Sequence, residues 1–173
     1  MKNIILTIIA LLSLTACGQG SVDPRLVSHL ALAEQALEQS CGLQIKDNID
    51  YKVANLSTMV GVGVVGFYQK TFEDHFKQES SIYVDINFLR YFSLENDQAV
   101  AWVLIHELAH AYGVKHFNGN KIMGTTTNYS NLNDNYNLLD NPAFLEEVCL
   151  KMKSRVELRH DIQSLHSHEG YNH

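Results

Sequence analysis

Apolar positions along the chain fall into four blocks that differ in period. In the first, Leu26, Leu30, Ala33 and Leu37 recur at intervals of three and four, the spacing that stacks side chains on one face of an α-helix. Asp23 before Pro24 is a helix-starting pair, because Asp caps free amides and Pro tolerates the first helical position. Gly42 stands where a helix-ending residue is expected, so the pattern predicts a helix over about 24–40. The second block, residues 43–90, is β-branched and alternating: Tyr51 and Val53, then MVGVGVVGFY, then SIYVDINFL around Ile82, Val84 and Ile86. It predicts strands, with Ile82–Phe88 as the last of them. The third block starts at Asn96 or Asp97, either able to cap, and runs as QAVAWVLIHELAHAY to Gly113. Its first half is apolar on nearly every side, which predicts a central, buried helix. A loop-like stretch rich in Asn, Gly, Thr and Ser reaches Asn141. There Pro142 opens a fourth block, in which Phe144, Val148, Met152 and Val156 predict a last helix to about 159. The polar tail DIQSLHSHEGYNH is expected to fray. Its His160, His166, His168 and His173 could chelate a metal weakly, but read more simply as exposed histidines. Strands followed by helices point to an α+β fold.

Composition narrows this to one ordinary globular domain: 173 residues, 46% hydrophobic and 18% charged. A net charge of −6 lacks the basic stripe of a nucleic-acid binder, so no nucleic-acid partner is expected. The first twenty residues change the picture more. One Lys, an apolar run from Ile4 to Leu14 and a small-residue end make an export signal, too short for a mature membrane span. Leu14-Thr15-Ala16-Cys17 resembles the bacterial lipobox, although a generic signal with a chance Cys would look similar. The resemblance implies a signal peptide at 1–16, a lipid-modified Cys17, a tether at 17–22 and a domain at 23–173. Acyl chains on Cys17 would make a membrane the partner of the domain. Gly18, standing where an inner-membrane retention signal has Asp, points to the outer membrane. Export also permits disulfides, so Cys41 and Cys149 either pair or remain two buried thiols.

Two patterns carry candidate chemistry. Gly61-x-Gly63-x-x-Gly66 matches a dinucleotide-binding pattern, with Asp85 about twenty residues on. No apolar-periodic helix follows it, so small residues in a strand beside a cleft or bulge explain it better, and no nucleotide is expected. The stronger pattern is HELAHAYGVKH, residues 106 to 116. On a helix His106 and His110 project side by side, while Glu107 is rotated about 100° and can reach a water instead of the ion. Gly113 tolerates the positive φ of a helix-ending turn, which lets His116 swing back as a third ligand. Three neutral imidazoles with one open position suit a catalytic zinc.

The string His106-Glu107-x-x-His110-x-x-Gly113-x-x-His116 resembles the zinc signature of the metzincin clan of metalloendopeptidases. Lys121-Ile122-Met123-Gly124, seven residues after His116, is similar to the clan's methionine turn in its matrixin-like branch. The resemblance implies a metzincin-like single domain with a small twisted mixed sheet, a central zinc-binding helix and a C-terminal helix. It implies Zn2+ on His106, His110 and His116, with Glu107 as general base in peptide-bond hydrolysis. Met123 would form a floor under the ion, and an edge strand carrying Ile82, Val84 and Ile86 would pair with an extended substrate. The chain departs from the clan in Phe117 after the third His, and in lacking a Tyr two residues after Met123. Tyr129 or Tyr136 could substitute for that tyrosine, and Thr125 to Asn133 would shape the specificity pocket. A non-catalytic zinc-binding lipoprotein and a zinc hydrolase acting on cell-wall peptide are the alternatives. Oligomeric state is not legible.

Overall fold

Asp23 starts the first helix through its own side chain, whose carboxylate accepts the Arg25 N–H at 3.0 Å. A 3-10 turn over Pro24–Leu26 leads into α1, Val27–Cys41, which Gly42 ends at φ 71°. The structure is a computed structural model that describes residues 20–45, 48–73, 77–95, 97–123 and 142–169. The signal segment and Cys17, the cap candidate Asn96, Gly124 and the loop with Tyr129, Tyr136 and Thr125–Asn133, and His173 lie outside the described residues.

The remaining elements are β1 (Ile49–Ala54), a single helical turn α2 (Leu56–Met59), β2 (Gly66–Glu73), β3 (Lys77–Asp85), α3 (Ile86–Glu95), α4 (Asp97–Ala111) and α5 (Pro142–Glu169). The fold is α+β, with a three-stranded mixed sheet in the order β1-β3-β2. β1 runs parallel to β3, with Tyr51 opposite Ile82. β2 runs antiparallel to β3, with Tyr68 opposite the same residue. Val22 adds a parallel bridge to Tyr51, closed by Tyr51 N–H to Ser21 O and Asp23 N–H to Tyr51 O, both at 2.8 Å.

Two readings of the 43–90 block are corrected. MVGVGVVGFY is not one strand, since Met59 closes α2 and β2 begins only at Gly66. The strand expected to reach Phe88 stops at Asp85, and Ile86 lies in α3. The cause is Asp85, whose buried carboxylate accepts the N–H groups of Asn87 and Phe88 at 2.9 and 3.0 Å. That is an N-cap, and it switches the period from two to 3.6, so that Phe88, Leu89 and Phe92 are buried on one helical face. The other Asp85 oxygen takes the Leu56 N–H at 2.9 Å, pinning α2 to the end of β3. β3 is also the middle strand, so Ile82 and Val84 are fully buried in the core, not set along an edge.

α4 is the centre of the molecule. Every residue from Ala99 to Ile105 is buried, as the all-round apolar pattern requires. The helix packs on β2, β3, α1 and α3. Each fully buried Leu or Ile there contributes roughly 1.5–3 kcal/mol. α5 packs on α1 through Leu145, Val148 and Met152, and a Cys41–Cys149 disulfide joins the two helices with Cα atoms 6.0 Å apart. Closing a loop of 108 residues stabilises the fold by about 4–5 kcal/mol in the chain-entropy model. α5 runs on to Glu169, beyond the end expected near 159, since no Gly or Pro interrupts the chain before Gly170.

Candidate metal centre

His106 and His110 sit one turn apart near the C-terminal end of α4, so the helix alone sets them side by side. The helix then stops in a Schellman turn. Gly113, at φ 83°, donates to His110 O at 2.9 Å, and Val114 N–H donates to Ala109 O at 2.8 Å. The reversal brings His116 back over the helix end. The three Nε2 atoms lie 3.1, 3.1 and 3.2 Å from one another. These three side chains form the metal-capable cluster among the described residues.

Tautomers decide what that triangle means. His106 Nδ1 is 2.6 Å from Ile122 O, and His110 Nδ1 is 2.9 Å from Val114 O. A carbonyl can only accept, so both Nδ1 atoms carry a proton, and burial, which disfavours the charged ring, leaves it the only one. Their Nε2 atoms then present lone pairs to each other, an arrangement without a proton to share and one that a cation relieves. Tetrahedral zinc, with Zn–N of about 2.0–2.1 Å, spaces its ligands ~3.3 Å apart, close to the separations seen here. The residues present fit a metal ion. Burial also holds His106 in the neutral form, lowering its pKa to about 4, and burial lowers His110 as well.

Glu107 faces the same cleft as His106 and His116, a space of about 250 Å³ between α4 and residues 63–66. Its carboxylate is buried, and desolvation raises its pKa to about 7, against the lowering effect of a hydrogen bond from the Tyr68 backbone N–H. The glycine at the start of β2 makes this approach feasible. A Cβ on Gly66 would stand 2.6 Å from Val103 Cγ1 and 2.7 Å from Glu107 Oε1. The glycine-rich stretch thus borders the cleft and leads into a strand.

Of the residues singled out in the sequence, the structure brings together His106, His110, His116 and Glu107, with Gly113 making the turn. Met123 is fully buried in the loop whose Ile122 carbonyl receives His106. Cys41 and Cys149 serve the α1–α5 junction. Ile82 and Val84 support the sheet from inside, and Ile86 begins α3. The Tyr68 amide and Trp102 went unremarked in the sequence as cleft residues. Only Trp102 and Val103, one turn before the histidines on α4, had a signal there. No described helix is long and apolar enough to cross a membrane. No family model matches the chain, and neither a curated protein nor a solved structure does.

Proposed function

We propose that this protein is a zinc-dependent endopeptidase of the metzincin type, held at a bacterial envelope membrane through lipid on Cys17. The lipobox-like Leu14-Thr15-Ala16-Cys17 supports the anchoring. The observation that carries the activity is the convergence of three imidazole nitrogens beside a buried carboxylate in one cleft. An all-nitrogen set of three suits zinc with an open position. Zinc bound there would polarise a peptide carbonyl and acidify water in the cleft toward neutral pH.

The chain's own groups supply the rest. Glu107 accepts the proton of the attacking water and then delivers it to the leaving amine. Its raised pKa makes it a stronger base than an exposed glutamate, and the Tyr68 N–H fixes its position. The peptide would lie along β2 and not along the strand of Ile82 and Val84, which is the middle one. Asp85 N–H donates to Val65 O, so alternation in the antiparallel ladder turns the backbone groups of Gly66 and Tyr68 away from β3, and the Gly66 amide and the two carbonyls remain beside the Tyr68 N–H that Glu107 takes. β2 is an edge of the described sheet and its first residue lines the cleft. An extended substrate would add to that edge.

The test is Glu107→Gln assayed against a peptide library, with metal content measured in parallel. The variant is expected to retain one zinc per chain while turnover falls by about 10²–10⁴-fold. Undiminished turnover in the variant, or wild-type turnover that survives full zinc removal, would sink the mechanism. Zinc content without cleavage in the wild type would leave a zinc-binding lipoprotein.

A further inference from the structure

The two carbonyls that orient the histidines are held in different ways. Val114 O belongs to the turn that ends α4, so the helix itself fixes it. Ile122 O lies sixteen residues from His106, in a loop that must be held from elsewhere. Asn120 is what holds it. This side chain is 3% exposed, and its Oδ1 accepts from Ile122 N–H at 2.9 Å and from Met123 N–H at 3.1 Å. Its Nδ2 donates to Phe144 O at 2.9 Å and to Glu147 Oε2 at 3.0 Å, both on α5. All four hydrogen-bonding positions of the amide are used, and flipping it would face its NH2 against two N–H groups. Phe117 N–H to Met123 O, at 3.1 Å, closes the same loop directly after His116. One buried side chain thus ties the peptide that receives His106 to the first turns of α5.

We propose that Asn120 is a positioning residue for the metal centre. It holds the Ile122 carbonyl at His106 Nδ1 and so keeps the three Nε2 atoms convergent, with Phe144 and Glu147 as its anchor. The proposal rests on reading the three histidines as a metal site, and not on peptide cleavage. An apolar residue at 120 would leave the amides of Ile122 and Met123 without their acceptor. An aspartate would keep that acceptor, but would turn an oxygen toward Phe144 O and a second carboxylate toward Glu147. Either change lets the Ile122 carbonyl move and frees the His106 ring to rotate.

The experiment uses the full chain and two probes, zinc in competition with a chromophoric chelator and the visible absorption of bound cobalt(II). Asn120→Ala is expected to weaken zinc binding about 10–100-fold and to alter the cobalt spectrum. Asn120→Asp should weaken it about tenfold. Adding Glu147→Gln to Asn120→Asp should recover part of that loss, because the Gln amide can donate to the new carboxylate. Leu30→Ala, buried on α1 away from the site, serves as a control for general loosening and should leave zinc affinity unchanged. A folded Asn120→Ala with wild-type affinity and spectrum overturns the proposal, as does an equal loss of affinity in Leu30→Ala. A wild-type chain that binds neither ion overturns the metal reading and this proposal with it. A chain that binds zinc and cleaves nothing overturns the peptidase reading alone.

Discussion

Of the two walls of the cleft, the one built from α4 carries His106, His110 and Glu107 on a helix buried along its length, with both rings fixed by backbone carbonyls and His116 returned by the turn that follows. The opposite wall, leading from α2 to β2, is a lip of valines and glycines. Val62 there is 94% exposed, and Gly61 and Gly63 take φ of 139° and 88°. The contrast separates two tasks. Groups that must converge within a fraction of an ångström sit on rigid, over-determined structure, whereas the surface that meets a variable ligand need not. The walls touch at Gly66, where the lip becomes a strand and Glu107 packs against it.

Three substitutions probe that contrast, and the largest effect on stability is expected on the rigid wall. Burial raises the Glu107 pKa to about 7 in the fold from the ordinary glutamate value of 4.5, so the metal-free fold binds its proton more tightly than the unfolded chain does. The resulting stabilisation is full below about pH 4.5 and is lost as pH rises through 7, an effect of up to about 3 kcal/mol. His106 has the opposite sign, losing stability as pH falls from 6.5 toward 4, and is common to both proteins. Urea unfolding of chelator-treated protein should therefore show Glu107→Gln gaining on the wild type between pH 4.5 and 8. A pH-independent difference would mean that Glu107 is not buried in solution.

Gly66→Ala tests the contact between the walls. Its Cβ would overlap Val103 Cγ1 and Glu107 Oε1, at an expected cost of about 1–3 kcal/mol from overpacking. The displaced carboxylate should lower turnover by about 100-fold while zinc is retained. Thermal melting, metal content and peptide turnover together decide it, and wild-type turnover would show that the lip does not constrain the base. Val62→Ser, at the exposed tip of the lip, should change stability by no more than about 0.5 kcal/mol and leave zinc affinity as it was. A larger shift in melting would mean that the lip is packed in solution and the contrast false.

Much of the site was legible because its logic is local. The spacing of His106 and His110 is a property of any helix, and Gly113 announces the reversal that returns His116. The limits of α1 followed from cap residues and apolar period in the same way, and the end of α4 from Gly113. The β3–α3 junction was misread because Ile82, Val84 and Ile86 continue an alternation that Asp85 interrupts. Asp85 acts by capping amides, and a period count does not register capping. The order of the strands was hidden for a different reason, since alternation tells which face of a strand is buried but not which neighbours it has.

The sequence by itself determined three imidazoles able to meet at one point, a carboxylate beside them and a buried helix to carry them, because each depends on contacts within one turn or one loop. Only the tertiary structure decided that β2 and not β3 borders the cleft, that Gly66 makes room for Glu107, and that Asn120 ties the loop behind His106 to α5. Those relations join residues from 24 to 41 positions apart in the chain (Asn120 to Phe144, Gly66 to Glu107). They depend on packing and register, which no local pattern of residues records.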